Sequence, residues 1–220
     1  MPSSTWIKIC GVTLPSDMEM LAASGVNAVG LNFVSWSKRR IDVAQARELV
    51  AVAKGRVEII GVVAGLEEGA IRQLIADAGL DRVQLHGDES SDLISRLGNV
   101  AFRAVGIASA TDVARASELP GELVLVDTEA GARSGGTGKV FDWALVTELC
   151  RARRVVVAGG LHPENVGDAV TALRPFGVDV ASGVEAKGKP GIKLADAVAR
   201  FIRAVRQADL GAHALDRTGR

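Results

Sequence analysis

Eight short runs of apolar, mostly β-branched residues recur along this chain, and stretches with helix-like spacing fall between them. The runs are Trp6–Cys10, Ala28–Phe33, Glu58–Val63, Arg82–His86, Ala101–Val105, Leu123–Asp127, Arg154–Ala158 and Gly177–Ala181. A strand buried on both faces reads as such a continuous apolar run. The helical stretches include Val43–Val52, Glu67–Ala78, Ser109–Glu118, Asp142–Ala152, Pro163–Leu173 and Ile192–Gln207. Cap signals precede several helices: Ser16 before Asp17, Asp42 before Val43, Ser109 before Ala110 and Asp142 before Trp143. Strict strand–helix alternation implies right-handed crossovers and a parallel sheet. Eight such units in 220 residues favour one closed α/β barrel, a (β/α)8 TIM barrel over residues 1–220, above an open doubly wound sheet. The tail from about Asp209 mixes glycine, histidine and charges without a period, so fraying is expected there.

Charge narrows the partners. Lysine plus arginine and aspartate plus glutamate number 26 each, so nothing points to nucleic acid or an anionic membrane. For local charge, the run Lys38-Arg39-Arg40 is the place to look. Two cysteines, Cys10 and Cys150, are too few for a disulfide framework and lack metal-ligand spacing. No charged-then-apolar leader opens the chain, and no apolar run nears the roughly 20 residues of a membrane helix. The reading is a cytoplasmic protein.

A barrel of this kind places its chemistry where strands end and the following loops begin. The unusual residues fall there: Cys10, His86 and Asp127 end the first, fourth and sixth runs. Gly159-Gly160 and Ser182-Gly183 follow the last two. Glycine lets backbone approach a ligand, and N–H groups at a helix start attract anions. Two such turns after adjacent strands predict a phosphate site, with Val184–Ala186 as an extra helical turn. Tight βα turns alone would explain either glycine pair singly.

Five segments in register resemble the phosphoribosylanthranilate isomerase family. They are Lys8-Ile9-Cys10-Gly11-Val12-Thr13, Gln84-Leu85-His86-Gly87-Asp88-Glu89, and Asp127-Thr128 with Gly135-Gly136-Thr137-Gly138-Lys139 and Phe141-Asp142-Trp143. The last two are Ala158-Gly159-Gly160-Leu161 with Pro163-Glu164-Asn165-Val166, and Asp179-Val180-Ala181-Ser182-Gly183-Val184-Glu185. Together they span roughly Lys8 to Arg203. The chain also departs from the family's pattern. Val34-Ser35-Trp36-Ser37 lacks the family's proline, Ala181-Ser182 replaces paired serines, and Val62-Val63-Ala64-Gly65 replaces a Phe-Val-Asn pattern. Lys189-Pro190-Gly191-Ile192-Lys193 lacks a Lys-Asp pair. These bear on the aromatic pocket and the last helix start, and leave Cys10 and Asp127 in place.

The resemblance implies an Amadori rearrangement needing one acid and one base, without metal or redox cofactor. It gives Cys10 as general base, in a setting that could raise its thiolate fraction, and Asp127 as general acid, needing a raised pKa. Arg39 is implied as holder of the anthranilate carboxylate through its planar fork, with Arg40 and Lys38 as alternatives. A phosphorylated small-molecule substrate and a monomer are also implied. The residues alone leave other roles open. Cys10 could be a small buried hydrophobe, and Asp127 a helix cap or a partner of Lys139. Trp36 could stack on the substrate ring or cover the rim. His86 could orient substrate or loops, or be purely structural, and Asp179 could hydrogen-bond at the mouth or, preferably, brace the barrel. The Gly135–Gly138 segment is expected to cover the substrate. Rival readings are an indole-glycerol-phosphate synthase, which would want catalytic lysines at strand ends, a thiamin-phosphate synthase, which would want an acidic metal cluster, and a non-catalytic sugar-phosphate sensor.

Overall fold

The computed structural model describes residues 4–127 and 143–218. Its strands are β1 (Trp6–Cys10), β2 (Ala28–Asn32), β3 (Glu58–Val63), β4 (Arg82–Leu85), β5 (Ala101–Gly106), β6 (Leu123–Asp127), β7 (Arg154–Ala158) and β8 (Gly177–Val180). All pair in parallel and in chain order, and β8 returns to β1 to close the barrel. The open sheet is thereby excluded. Outside lie α1 (Pro15–Ala23), α2 (Val43–Ala53), α3 (Glu68–Ala78), α4 (Ser91–Leu97), α5 (Ala110–Glu118), α6 (Ala144–Ala152), α7 (Val166–Leu173) and α8 (Ala195–Thr218).

Side chains alternate across each strand, so one set meets the helices and the other fills the lumen. Ile7, Ile9, Val83, Leu85, Val124, Val126, Val178 and Val180 belong to the layer packed with the helices. Ala28, Ile60, Phe102, Ala104, Leu123, Leu125, Val156 and Ala158 form a separate cluster inside the barrel. Phe102, 1% exposed, is the largest apolar plug; burial of such a ring stabilises by roughly 1.5–3 kcal/mol. Arg82 lies 5.0 Å over the Phe102 ring and Arg154 lies 3.9 Å over Phe176, covering the end where strands begin. The same alternation turns Lys8, Cys10, Gln84, Asp127 and Asp179 inward. The strand period therefore assembles the polar residues at one end.

Helix boundaries follow local chemistry. Asp42 caps α2, accepting from the Gln45 N–H at 2.8 Å, while Gln45 Oε1 accepts from Asp42 N at 3.1 Å. Ser109 caps α5, and Ser90 caps α4. Ser16 does not cap α1. Pro15 starts that helix behind Leu14, because proline needs no N–H partner and has a helical φ already set. Asp142 lies outside the described residues. The extra helical turn after β8 spans Ser182–Val184 rather than the expected Val184–Ala186.

Helix α8 runs on to Thr218, and Asp209 anchors it to the start of β1. Thr5 donates to Asp209 from its backbone N at 3.1 Å and from Oγ1 at 2.5 Å, and Arg206 Nη1 donates to Thr5 O at 2.6 Å. No helix among the described residues is long and apolar enough to cross a membrane. Removing the α2 cap by Asp42→Ala is predicted to destabilise the fold by about 1 kcal/mol. Urea denaturation checks this, and an unchanged midpoint would refute the cap's contribution.

Candidate active site

At the C-terminal ends of the strands lies a cleft of about 240 Å³. Cys10, Arg39, His86, Asp127, Gly159, Gly160 and Ser182 all line it, with Gln84 and Asp179 deeper in. Residues far apart in the chain thus converge on one opening. Gly183, also expected at the site, is not on the cleft wall. A Cβ there would overlap the Leu161 carbonyl, so its lack of a side chain lets the loops after β7 and β8 close against each other. Gly159 and Gly160 take φ of 90° and 61°. Asn165 fixes their turn, donating to Gly160 O at 3.0 Å and accepting from His162 N at 2.8 Å.

Cys10 ends β1 half-buried, and Gly30 of the neighbouring strand leaves room for its thiol. A Cβ at Gly30 would stand 2.6 Å from Cys10 Sγ and 3.2 Å from Lys8 Cε. Burial pushes the Cys10 thiol up; Lys8 and Lys193 pull it down and Asp179 adds to the rise, leaving it above the ordinary range. This reverses the expectation that the surroundings enlarge the thiolate fraction. Asp127 ends β6 half-buried, its carbonyl accepting from Ile107 N at 3.0 Å. His86 follows β4, exposed at the mouth, with Nδ1 3.4 Å from Gln84 Nε2. Glu89 shapes that loop by accepting from Gly65 N at 2.8 Å and Gly87 N at 2.9 Å.

Of the basic run, Arg39 alone reaches the cleft; Lys38 and Arg40 are exposed. The stem of Arg39 crosses Gly11, where any Cβ would overlap it. Its fork is engaged by a residue whose role the sequence did not reveal. Nε and Nη2 donate to Glu185 Oε1 and Oε2, each at 2.7 Å. Lys193 Nζ donates to Glu185 Oε1 at 2.8 Å and to Cys10 O at 2.6 Å, and Gly191 N donates to Glu185 at 2.9 Å. Burial would raise the Glu185 carboxyl, but Arg39 and Lys193 hold it at about 2.

Lys8 and Gln84 also escaped assignment. Lys8 is fully buried and donates to Asp179 Oδ2 at 2.8 Å and Gln84 Oε1 at 3.0 Å. Gln84 and Lys8 were visible within the motifs, but only the closed barrel pairs them. Glu185 ended one quoted motif and Lys193 one quoted departure, but nothing in the sequence pairs them with each other or with Arg39. Trp36 is 73% exposed and does not line the cleft. Lys139 and the Gly135–Gly138 segment lie outside the described residues. Among the described residues no group of three His, Cys, Asp or Glu side chains could hold a metal ion.

A carboxyl depressed from its ordinary 4.5 to about 2 contributes stability that is fully present above the unfolded value and lost as pH falls toward 2. Glu185→Gln is therefore predicted to flatten the loss of stability between pH 5 and 2 relative to the parent protein. Paired urea titrations across that range check it; parallel pH profiles would overturn it.

The chain matches, over residues 7–204, the family described as N-(5'phosphoribosyl)anthranilate (PRA) isomerase. It is 40% identical to the N-(5'-phosphoribosyl)anthranilate isomerase of Myxococcus xanthus over 213 residues, covering 94% of this chain and 99% of that protein. The crystal structure of the Thermotoga maritima phosphoribosyl anthranilate isomerase superposes with a TM-score of 0.82 at 35% identity, covering 92% of this chain and 99% of that one. A second phosphoribosyl anthranilate isomerase structure, in complex with reduced 1-(o-carboxyphenylamino)-1-deoxyribulose 5-phosphate, gives a TM-score of 0.81 at 33% identity over the same shares. With its barrel closed, its strand-end residues gathered at one cleft and these matches running nearly end to end, the chain belongs to the N-(5'-phosphoribosyl)anthranilate isomerase family.

Proposed function

We propose that Cys10 and Asp127 carry the family's reaction between them, as base and acid. The chain is an isomerase of tryptophan biosynthesis, converting N-(5-phosphoribosyl)anthranilate to 1-(2-carboxyphenylamino)-1-deoxyribulose 5-phosphate. One observation supports the two roles above all: both residues end lumen-facing strand positions and line one cleft. Asp127 gives its proton to the ring oxygen as the bond from the first sugar carbon to that oxygen breaks, and the nitrogen lone pair completes an iminium. The Cys10 thiolate takes the proton from the second carbon, and the released pair forms an enol that tautomerises to the ketone. Acid and base remain on their own strands throughout.

Substrate binding divides over the rest of the cleft. The turns at Gly159-Gly160 and Ser182-Gly183 hold the phosphate, where backbone can approach closely. Arg39 meets the anthranilate carboxylate with the guanidinium edge not committed to Glu185, and His86 orients the sugar from the mouth. The relative bound to a reduced phosphorylated aminoketose supports a ligand of this kind in the equivalent cleft. A cytoplasmic monomer completes the reading. Among the described residues, the large exposed apolar side chains (Leu14, Trp36, Leu145, Leu194 and Leu210) do not gather on one element.

Cys10→Ser and Asp127→Asn are each predicted to lower kcat by at least ~100-fold, the scale of general acid–base catalysis. Loss of anthranilate fluorescence on mixing with substrate reads the rate, and near-normal turnover in either variant removes that residue's role. Arg39→Ala is predicted to act mainly through KM; a change confined to kcat would contradict carboxylate binding. Sedimentation is predicted to give one chain per particle, and a stable dimer would correct the monomer.

A further inference from the structure

Lys8 stands two residues before Cys10 on the same inward face of β1, fully buried. Stability alone explains it poorly. Burying a charge is costly, and well-packed apolar residues in place of a buried ion pair are often neutral or stabilising. Barrel lumens are ordinarily filled by branched aliphatic side chains. Two of the ammonium's three hydrogens go to Asp179 Oδ2 at 2.8 Å and Gln84 Oε1 at 3.0 Å. Its Cε and the Cys10 thiol converge over Gly30, within 3.2 Å and 2.6 Å of where a Cβ would stand. Asp179 keeps its second oxygen, Oδ1, buried without a hydrogen-bond partner.

We propose that Lys8 is a positioning residue for the reaction: anchored on Asp179 and Gln84, it holds a fixed positive charge beside Cys10 and stabilises the thiolate that accepts the sugar proton. This rests on the reading of Cys10 as the base. Before substrate binds, the thiol gives its proton to solvent. The thiolate then takes the proton of the second sugar carbon, and Lys8 keeps all three of its own throughout. Burial opposes the ammonium, yet Asp179 and the thiol together hold Lys8 above its ordinary value, so it stays a cation rather than acting as a second base.

Other charges face the same thiol. Lys193, from the loop after β8, donates to the Cys10 carbonyl and pairs with Glu185. Arg39, after β2, also pairs with Glu185. Asp127 on β6 and His86 after β4 line the shared cleft. Asp179 opposes the thiolate. Among the charges, Lys8 has the largest influence drawing the thiol down, and Asp179 the largest pushing it up. The two members of one ion pair act on Cys10 in opposite senses, so replacing each separately should move the thiol in opposite directions.

Iodoacetamide alkylation of Cys10 across pH, read by mass spectrometry on the folded enzyme, measures thiolate formation without needing turnover. Cys150 is buried with its thiol pushed up to about 12 and stays silent. Lys8→Met is expected to move the Cys10 midpoint up by about one pH unit or more. Asp179→Asn, which can still accept from Lys8, is expected to move it down. Coincident midpoints, or shifts in the same direction, overturn the proposal. Should Lys8→Met fail to fold, Asp179→Asn decides alone: a fall supports it, and no change or a rise overturns it. Turnover surviving in Cys10→Ser would remove the base itself, and the proposal with it. Unmoved midpoints alongside an inactive Cys10→Ser would remove Lys8's role only.

Discussion

The return of β8 onto β1 is the constraint on which the rest depends. Register at this seam sets Trp6 opposite Gly177, Ile7 opposite Val178 and Lys8 opposite Asp179. A slip of one residue would reverse every side chain on a strand. It would drive Ile7 and Ile9 into the lumen and expel Lys8 and Cys10 among the helices. The ion pair from Lys8 to Asp179 crosses this seam, so the contact that marks correct closure also lies directly beneath the thiol. Folding and chemistry share one register.

The loop after β8 binds the parts together. Lys193 reaches Cys10 O, Ala181 O and Glu185, while its own N–H is accepted by Asp17 of α1 at 2.8 Å. Glu185 in turn holds Arg39. The strand carrying Cys10, the arginine facing the cleft and the turn after β8 are linked by one chain of charge-assisted hydrogen bonds. Such pairs contribute little net stability once desolvation is counted. What they supply is placement. Catalytic groups misplaced by about 1 Å can lose a hundredfold in rate, and a lumen filled only with aliphatic side chains would leave Arg39 on a loop with nothing to orient it.

Strand positions were legible because each is a compact apolar run, and β1, β3, β6 and β7 begin and end where the runs do. Cap chemistry was legible where the side chain itself makes the bond, as at Asp42 and Ser109. It misled at Ser16, where a neighbouring proline dominates. In the tail, Asp209 bonds to Thr5 more than 200 residues away, and no local period reports such a contact. The site divides in the same way. Cys10, His86, Asp127 and the paired glycines stand out as odd residues at strand ends. Glu185 and Lys193 look like ordinary surface charges until the barrel brings them to Arg39 and to the Cys10 carbonyl. Gly183 was read as a glycine that lets backbone approach a ligand; what approaches it in the fold is the backbone of Leu161.

The roles proposed for Cys10 and Asp127 ask a thiol and a carboxyl group to work against their usual order. A free carboxyl loses its proton several pH units before a free thiol, whereas the reaction wants Asp127 protonated and Cys10 ionised at the same moment. The productive form and the idle form of the pair hold the same number of protons and differ only in which side of the sugar holds one. Burial of the thiol makes the idle form easier to adopt. A fixed cation on the Cys10 side lowers the energy of the productive form selectively, because it faces a charge in that form and a neutral thiol in the other. Held by β8 and β4 below the cleft floor, Lys8 is placed to provide the proposed bias without entering the cleft.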